Sequence, residues 1–340
     1  MRICLLALSL LIIFPAGAEF FAMQEHPATK FSVSVNLVEV PISIFDDRGL
    51  MVTDLRREYF RVWEDKTLQE IRSFGRDTKP VSLILLLDTS KSEKEDRNNI
   101  KDVAEEFTKV LSSGDRVCVI AFDEQVSLVL DWTDDMKKVR KAISKVRFGY
   151  STALYDAMYL AAKKQLMDAE GRKAIVLLTD CRDNQSIASF KEASQKIVQS
   201  QASLYVISKT VLIRRDLKLE RRVIILNEIY GELFGDSENL IDLYFDRREE
   251  EMTELAEKTG GRSFFPEDYH QIGRNCSEIV QEIKNKNYLT YISNQHLSPD
   301  TYHRIAIEYL KPSSRMIYRK GYYYKPRLES PPWILEPAFK

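Results

Sequence analysis

Five oxygen-bearing side chains stand beside apolar runs in three separate stretches of the chain. Asp88, Ser90 and Ser92 follow the run 81–87, Thr152 closes Gly149-Tyr150-Ser151-Thr152, and Asp180 follows the run 173–178. Two carboxylates and three hydroxyls make a hard, all-oxygen donor set, which suits Mg²⁺, with Mn²⁺ or Ca²⁺ as substitutes. No Cys or His cluster accompanies them, which disfavours zinc; Cys181 is the one soft atom nearby. Neutral hydroxyls leave such a metal with positive charge to spare, so a carboxylate from a partner could complete its coordination. Taken one stretch at a time, Asp88, Ser90 or Ser92 equally suits the cap of a helix. Three stretches meeting at one place favours the metal.

That meeting depends on the elements. The run 81–87 is short and unbroken, bounded by Pro80 and polar residues, as in a strand buried on both faces of a parallel sheet. Apolar positions Ile100, Val103, Ala104, Phe107, Val110 and Leu111 then recur at helical spacing over 93–111. Strands are expected at 116–122, 126–130, 173–178, 203–208 and 262–265, the second a hairpin partner of the first. Helices are expected at 136–146, 153–167, 187–200, 252–259 and 269–286. The succession predicts an α/β fold, a doubly wound, mostly parallel sheet with one antiparallel edge strand. Followed strand by strand, it brings Asp88, Ser90, Ser92, Thr152 and Asp180 to one edge. Asp123 and Glu124 belong farther out on that edge, at a hairpin tip, and Asp183 and Asn184 should shape a turn. The stretch 210–247 breaks the rhythm and reads either as an insertion or as a partly ordered loop.

On either side of this pattern the chain alternates at period two. Strands are expected over 31–45, at 60–63 and 69–74 as a hairpin around Glu64-Asp65-Lys66, and at 287–293, 303–310 and 315–323. Neither block has strands enough for a sandwich, but together they do. The expected organisation is a discontinuous small β-sandwich, 31–76 and 287–325, into which the α/β domain 80–286 is inserted, with a tail at 326–340. Two separate flaps are the alternative.

The N-terminus has a basic start, an apolar stretch over 3–14 and Ala16-Gly17-Ala18, which reads as a signal peptide (1–18) cleaved after Ala18. A secreted or periplasmic protein with no stable membrane span is expected. The formal net charge of −1 gives no global field for nucleic acid. Cys118, Cys181 and Cys276 are odd in number and lack a short spacing, so no disulfide framework is expected. His26, His270, His296 and His303 are scattered away from the edge, which argues against a Ser-His-Asp triad. No Gly-rich phosphate cradle occurs. The paired arginines 214–215, 221–222 and 247–248 read as solvated faces.

Asp88-Thr-Ser-Lys-Ser92, Ser151-Thr-Ala-Leu-Tyr-Asp156 and Leu177-Leu-Thr-Asp180 resemble the metal-ion-dependent adhesion site of von Willebrand factor type A domains. Val40-Pro-Ile-Ser-Ile44, Ile120-Ala-Phe-Asp123, Gly260-Gly-Arg262 and Arg319-Lys-Gly-Tyr322 resemble, more narrowly, a secreted Acidobacterial subfamily, over about residues 31–325. The resemblance implies a Rossmann-like fold and direct ligation by Ser90, Ser92 and Thr152, with Asp88 and Asp180 acting directly or through water. It also implies a protein partner presenting Asp or Glu. Lys91 and Cys181 depart from the family pattern, where small residues are usual. A metal-dependent hydrolase using the same site and a structural module with an empty site are the rival readings; with no His or Lys base placed at the edge, no enzyme is expected.

Overall fold

A strand covered on both faces needs an unbroken apolar run, and Val81–Asp88 is such a strand, buried along its whole length. The molecule is represented by a computed structural model that describes residues 36–90, 100, 105–107, 109, 111–112, 114–167, 169, 171–219, 237–295, 298–313 and 315–324. The expectations for the signal peptide, Lys91, Ser92, most of the helix after it, Arg221-Arg222 and the tail lie outside these residues.

The strands in chain order are β1 (Leu37–Phe45), β2 (Phe60–Glu64), β3 (Thr67–Gln69), β4 (Ile71–Arg76), β5 (Val81–Asp88), β6 (Arg116–Phe122) and β7 (Val126–Thr133). They continue with β8 (Arg172–Thr179), β9 (Ser203–Ser208), β10 (Ser263–Phe264), β11 (Asn287–Ile292), β12 (Tyr302–Tyr309), β13 (Arg315–Tyr318) and β14 (Gly321–Tyr323). The helices are α1 (Met136–Ile143), α2 (Leu154–Leu160, extended by a π-helical turn, Ala161–Leu166), α3 (Phe190–Ser200), α4 (Thr210–Leu219), α5 (Ser237–Lys258) and α6 (Tyr269–Asn285).

The central sheet has the order β10-β9-β8-β5-β6-β7, parallel except for β7, which runs antiparallel to β6 at the edge. Alternate residues of β5 face opposite ways, and both sides are covered. Ile84 and Leu86 join Met158, Ile197 and Leu255 of α2, α3 and α5 in one apolar layer. Leu83, Leu85 and Leu87 join Val139, Ile143, Ile279 and Ile283 of α1 and α6 in the other, together with Ile100 and Phe107. This is the doubly wound α/β class expected from the pattern.

Two four-stranded sheets, β13-β1-β11-β4 and β14-β12-β2-β3, enclose a third core built on Val40, Ile42, Ile44, Val62, Leu289, Tyr291, Ile305 and Ile307. Each draws strands from both ends of the described chain. The expected hairpin pairing of 60–63 with 69–74 is corrected. β2 pairs with β3 through a tight turn in which Asp65 and Lys66 take φ of 45° and 72°, as two-residue hairpin turns require. After Glu70 the chain crosses to the other sheet, where β4 pairs with β11. The run 315–323 divides likewise, β13 pairing with β1 and β14 with β12.

Where it is described, the stretch 210–247 is helical, as α4 and the first half of α5, rather than a partly ordered loop. Arg214 holds the two helices together, donating to Asp246 at 2.8 Å and to Glu249 at 2.6 Å. The helix expected from 187 begins at Phe190, because Ser189 and Glu192 form a reciprocal capping box.

Candidate metal-binding edge

Parallel strands end on a common side, and β5, β8 and β9 deliver their C-terminal residues to one edge of the sheet. Asp88 ends β5 and Ser90 follows it; Asp180 follows β8; Thr152 lies just before α2. All four are buried, at 2–4 % exposure. Ser92 lies outside the described residues.

Backbone bonds knit the contributing loops together. Gly149 N–H donates to Thr89 O at 2.9 Å and Ala153 N–H to Asp123 O at 2.7 Å. Glu124 accepts Tyr150 N–H at 3.1 Å, so the hairpin tip of β6 and β7 braces the Thr152 loop. A side chain at 149 would collide with Asp123 and Glu124, which explains the glycine. Asn184 Oδ1 accepts Thr152 N–H at 2.8 Å, and Thr152 O accepts the N–H of Asn184 and of Gln185. Asp156, one turn into α2, receives Ile187 N–H and Ala188 N–H at 3.0 and 2.8 Å.

Asp88 is held in place by Ser90 N–H, which donates to Oδ1 at 3.1 Å, and by the Thr179 hydroxyl, which donates to Oδ2 at 2.8 Å. Burial, and then the neighbouring charge of Asp180, raises the pKa of Asp88 above the usual carboxylate range. Burial pushes Asp180 the same way, but the charge and hydrogen bonds of Arg182 outweigh it and hold its pKa low. Arg182 Nε–H and Nη2–H both donate to Asp180 Oδ2, at 2.8 and 2.6 Å, and Arg182 N–H donates to Oδ1 at 3.1 Å. The charge of Lys209, a buried side chain just past β9, bears on both carboxylates.

Cys181 takes the left-handed backbone conformation, with φ of 60°, so the turn after Asp180 keeps the form a glycine would favour. Burial pushes its thiol up to about 12, and its Sγ lies 3.4 Å from Ser208 Oγ. It is a packed thiol, not a thiolate ligand.

The donor chemistry fits a hard divalent ion: two buried carboxylates that repel each other, with hydroxyl-bearing Ser90 and Thr152 beside them. Among the described residues no group of three or more His, Cys, Asp or Glu is placed to hold a metal, so any metal here relies on hydroxyl oxygens as well. Thr179, Arg182, Lys209 and Asp156 were missed as contributors. Thr179 and Lys209 follow from the strand logic that found Asp180, since Thr179 and Ser208 are partners in the β8–β9 register. Nothing in the spacing signals the bonds of Arg182. Contrary to expectation, Arg248 is not simply solvated: it donates to Tyr155 OH at 2.6 Å and pairs with Glu251.

Around the edge, Tyr150 and Ile187 are 92 % and 96 % exposed, large apolar side chains presented to solvent. A cleft of about 290 Å³ opens beside Thr89, lined also by Asp123, Gln125, Ser127, Lys145 and Arg147.

Residues 83–182 match the model of the von Willebrand factor type A domain family. Among solved structures the chain is similar to a von Willebrand factor type A protein from Catenulispora acidiphila, at 12 % identity and a TM-score of 0.44, over 86 % of this chain and 74 % of that one. An aerotolerance-related membrane protein from Bacteroides fragilis is similar at 14 % identity and a TM-score of 0.40, over 60 % of this chain and 99 % of that one. Proximal thread matrix protein 1 from the mussel byssus, with a zinc-occupied MIDAS motif, is similar at 15 % identity and a TM-score of 0.44. That match covers 65 % of this chain and spans 50 % of the mussel chain's length. No curated protein sequence matches. No helix among the described residues is long and apolar enough to cross a membrane.

Proposed function

We propose that this protein is a secreted or periplasmic, non-enzymatic binding module, released by cleavage after Ala18. Asp88, Ser90, Ser92, Thr152 and Asp180 would hold one Mg²⁺, with Mn²⁺ or Ca²⁺ able to substitute. Bound there, the ion would supply a Lewis-acidic attachment point for an Asp or Glu carboxylate of a partner protein. The chain's own residues do the rest. Thr179 and Ser90 orient Asp88, Asn184 fixes the Thr152 loop, and Tyr150 and Ile187 present apolar surface beside the site. We further propose that the two four-stranded sheets act as one supporting β domain, divided in sequence by the α/β domain.

The observation that supports this reading is the burial of four oxygen-bearing side chains, from three separate segments, at one edge of the sheet. The test is thermal unfolding of the mature chain, in chelator and in millimolar Mg²⁺, for the wild type and Asp88→Ala. A metal that binds only the folded state stabilises it by about 2.7 kcal/mol at a hundred times its Kd. The wild type is expected to melt higher in Mg²⁺ and the variant to melt alike in both. A wild type indifferent to Mg²⁺ would favour a structural module instead.

A further inference from the structure

The carboxylate of Asp180 already accepts three hydrogen bonds from within the chain, two of them on Oδ2. Arg182 places two guanidinium N–H groups on Oδ2 and its backbone N–H on Oδ1. A metal ion and these donors compete for the same lone pairs, and an oxygen that accepts two strong hydrogen bonds has none left to give. Charge balance points the same way. Asp88 and Asp180 carry two negative charges, and Arg182 and Lys209 carry two positive ones, so a divalent ion added to the closed arrangement leaves an excess of positive charge in a buried place. Lys209 is buried and stays. The Arg182 side chain is 29 % exposed and sits at the rim, where rotation carries it into water.

We propose that Arg182 is a latch on this edge: its guanidinium occupies Asp180 until a divalent cation takes its place, and that competition sets the metal affinity. The inference rests on reading the edge as a metal site and adds what controls its occupancy. Metal-free, the latch stabilises the fold, because it gives a buried carboxylate its hydrogen-bonded counter-charge. With a metal bound, the released guanidinium would turn out into solvent.

Manganese titration by calorimetry on the mature chain tests this with the wild type, Arg182→Gln and Arg182→Lys, alongside melting in chelator and in Mn²⁺. Arg182→Gln is expected to bind Mn²⁺ at least about tenfold more tightly, a difference of about 1.4 kcal/mol. Arg182→Lys should fall between, since lysine keeps the charge and loses the two-pronged grip. In chelator Arg182→Gln should melt below the wild type, and its gain on adding Mn²⁺ should be larger. A residue that merely props the loop would lower both melting temperatures and weaken the metal. If the wild type binds Mn²⁺ and the variants bind it no better, the latch is wrong and the metal reading survives. If none of the three binds Mn²⁺ while all are folded, the metal reading fails and the latch falls with it.

Discussion

Asp88 shows what a buried carboxylate costs a fold. Its pKa is raised by burial and by the charge of Asp180, so folding makes it a weaker acid than it is in the unfolded chain. For a carboxylate shifted upward, the associated stability is present below its unfolded pKa and lost as pH rises through the folded value. At neutral pH without metal it is therefore a liability. Asp88→Asn keeps an oxygen to accept Ser90 N–H, can turn its amide N–H to the Thr179 hydroxyl and removes the charge, so it should raise the melting temperature in chelator while abolishing any response to Mg²⁺. Calorimetric scans of both proteins in both buffers decide the matter; a variant that melts lower than wild type in chelator would contradict it. The positions of Asp88, Ser90, Thr152 and Asp180 were legible because strand direction alone places them. The bonds of Arg182 were not, since an ion pair between residues two apart in a turn leaves no periodic trace. Nor was the left-handed turn at Cys181, because a cysteine there hides a conformation that a glycine would have advertised.

Among the elements, α6 carries an unusual load. Near its C-terminus Glu282 and Lys286 are both buried; Lys286 Nζ lies 3.2 Å from Glu282 and donates to Tyr205 OH at 2.6 Å. Glu282 also accepts from Ser43 of β1 at 3.1 Å and from Arg262 at 2.8 Å. Burial pushes the pKa of Glu282 up, but Lys286 and Arg262 more than reverse it, so it lies below 4.5. A carboxylate shifted downward adds stability above its unfolded pKa, and that stability is lost as pH falls through the folded value. Glu282→Gln would leave Lys286 buried without its counter-charge, at a cost of about 3–5 kcal/mol. Replacing both residues with methionine should recover most of that loss and make the protein less sensitive to acid. Urea unfolding at neutral pH and circular dichroism from pH 6 down to about 3 measure the two effects. Helix α6 itself was readable from its apolar spacing. Helices α4 and α5 were harder, because Arg214 is satisfied by acids on the neighbouring helix while few apolar residues, Leu212, Ile213 and Phe245 among them, mark the buried side.

At the scale of the whole molecule, the described residues from Asn36 to Tyr324 group as one compact unit rather than as separable pieces. Arg319 is one reason: its guanidinium donates to Glu39 O of β1 at 3.2 Å and to Gln201 O, after α3, at 2.6 Å. Lys320 N–H donates to Lys258 O at 3.0 Å, and Arg315 pairs with Glu257 at 2.7 Å. The two four-stranded sheets and the six-stranded sheet should therefore unfold together. Trp63 lies on β2 and Trp132 on β7. Variants in which Trp63 or Trp132 is the single tryptophan, with Trp333 also replaced, should show the same urea midpoint by fluorescence. Midpoints that separate would mean two independently stable halves. Period-two alternation told which residues of the outer strands face inward. It could not tell which sheet each strand joins, because the chain changes sheet at Glu70 and again between β13 and β14, and both sheets ask for the same pattern.

Cys118, Cys181 and Cys276 are all buried cysteines. A shielded thiol is inert, but a chain that opens exposes three at once, and in an oxidising medium they can be captured in pairings that block return. Survival of such a molecule is then governed by how seldom it opens, not by the balance between open and closed forms. The same property turns the cysteines into a built-in clock, since each capture records one excursion of the chain.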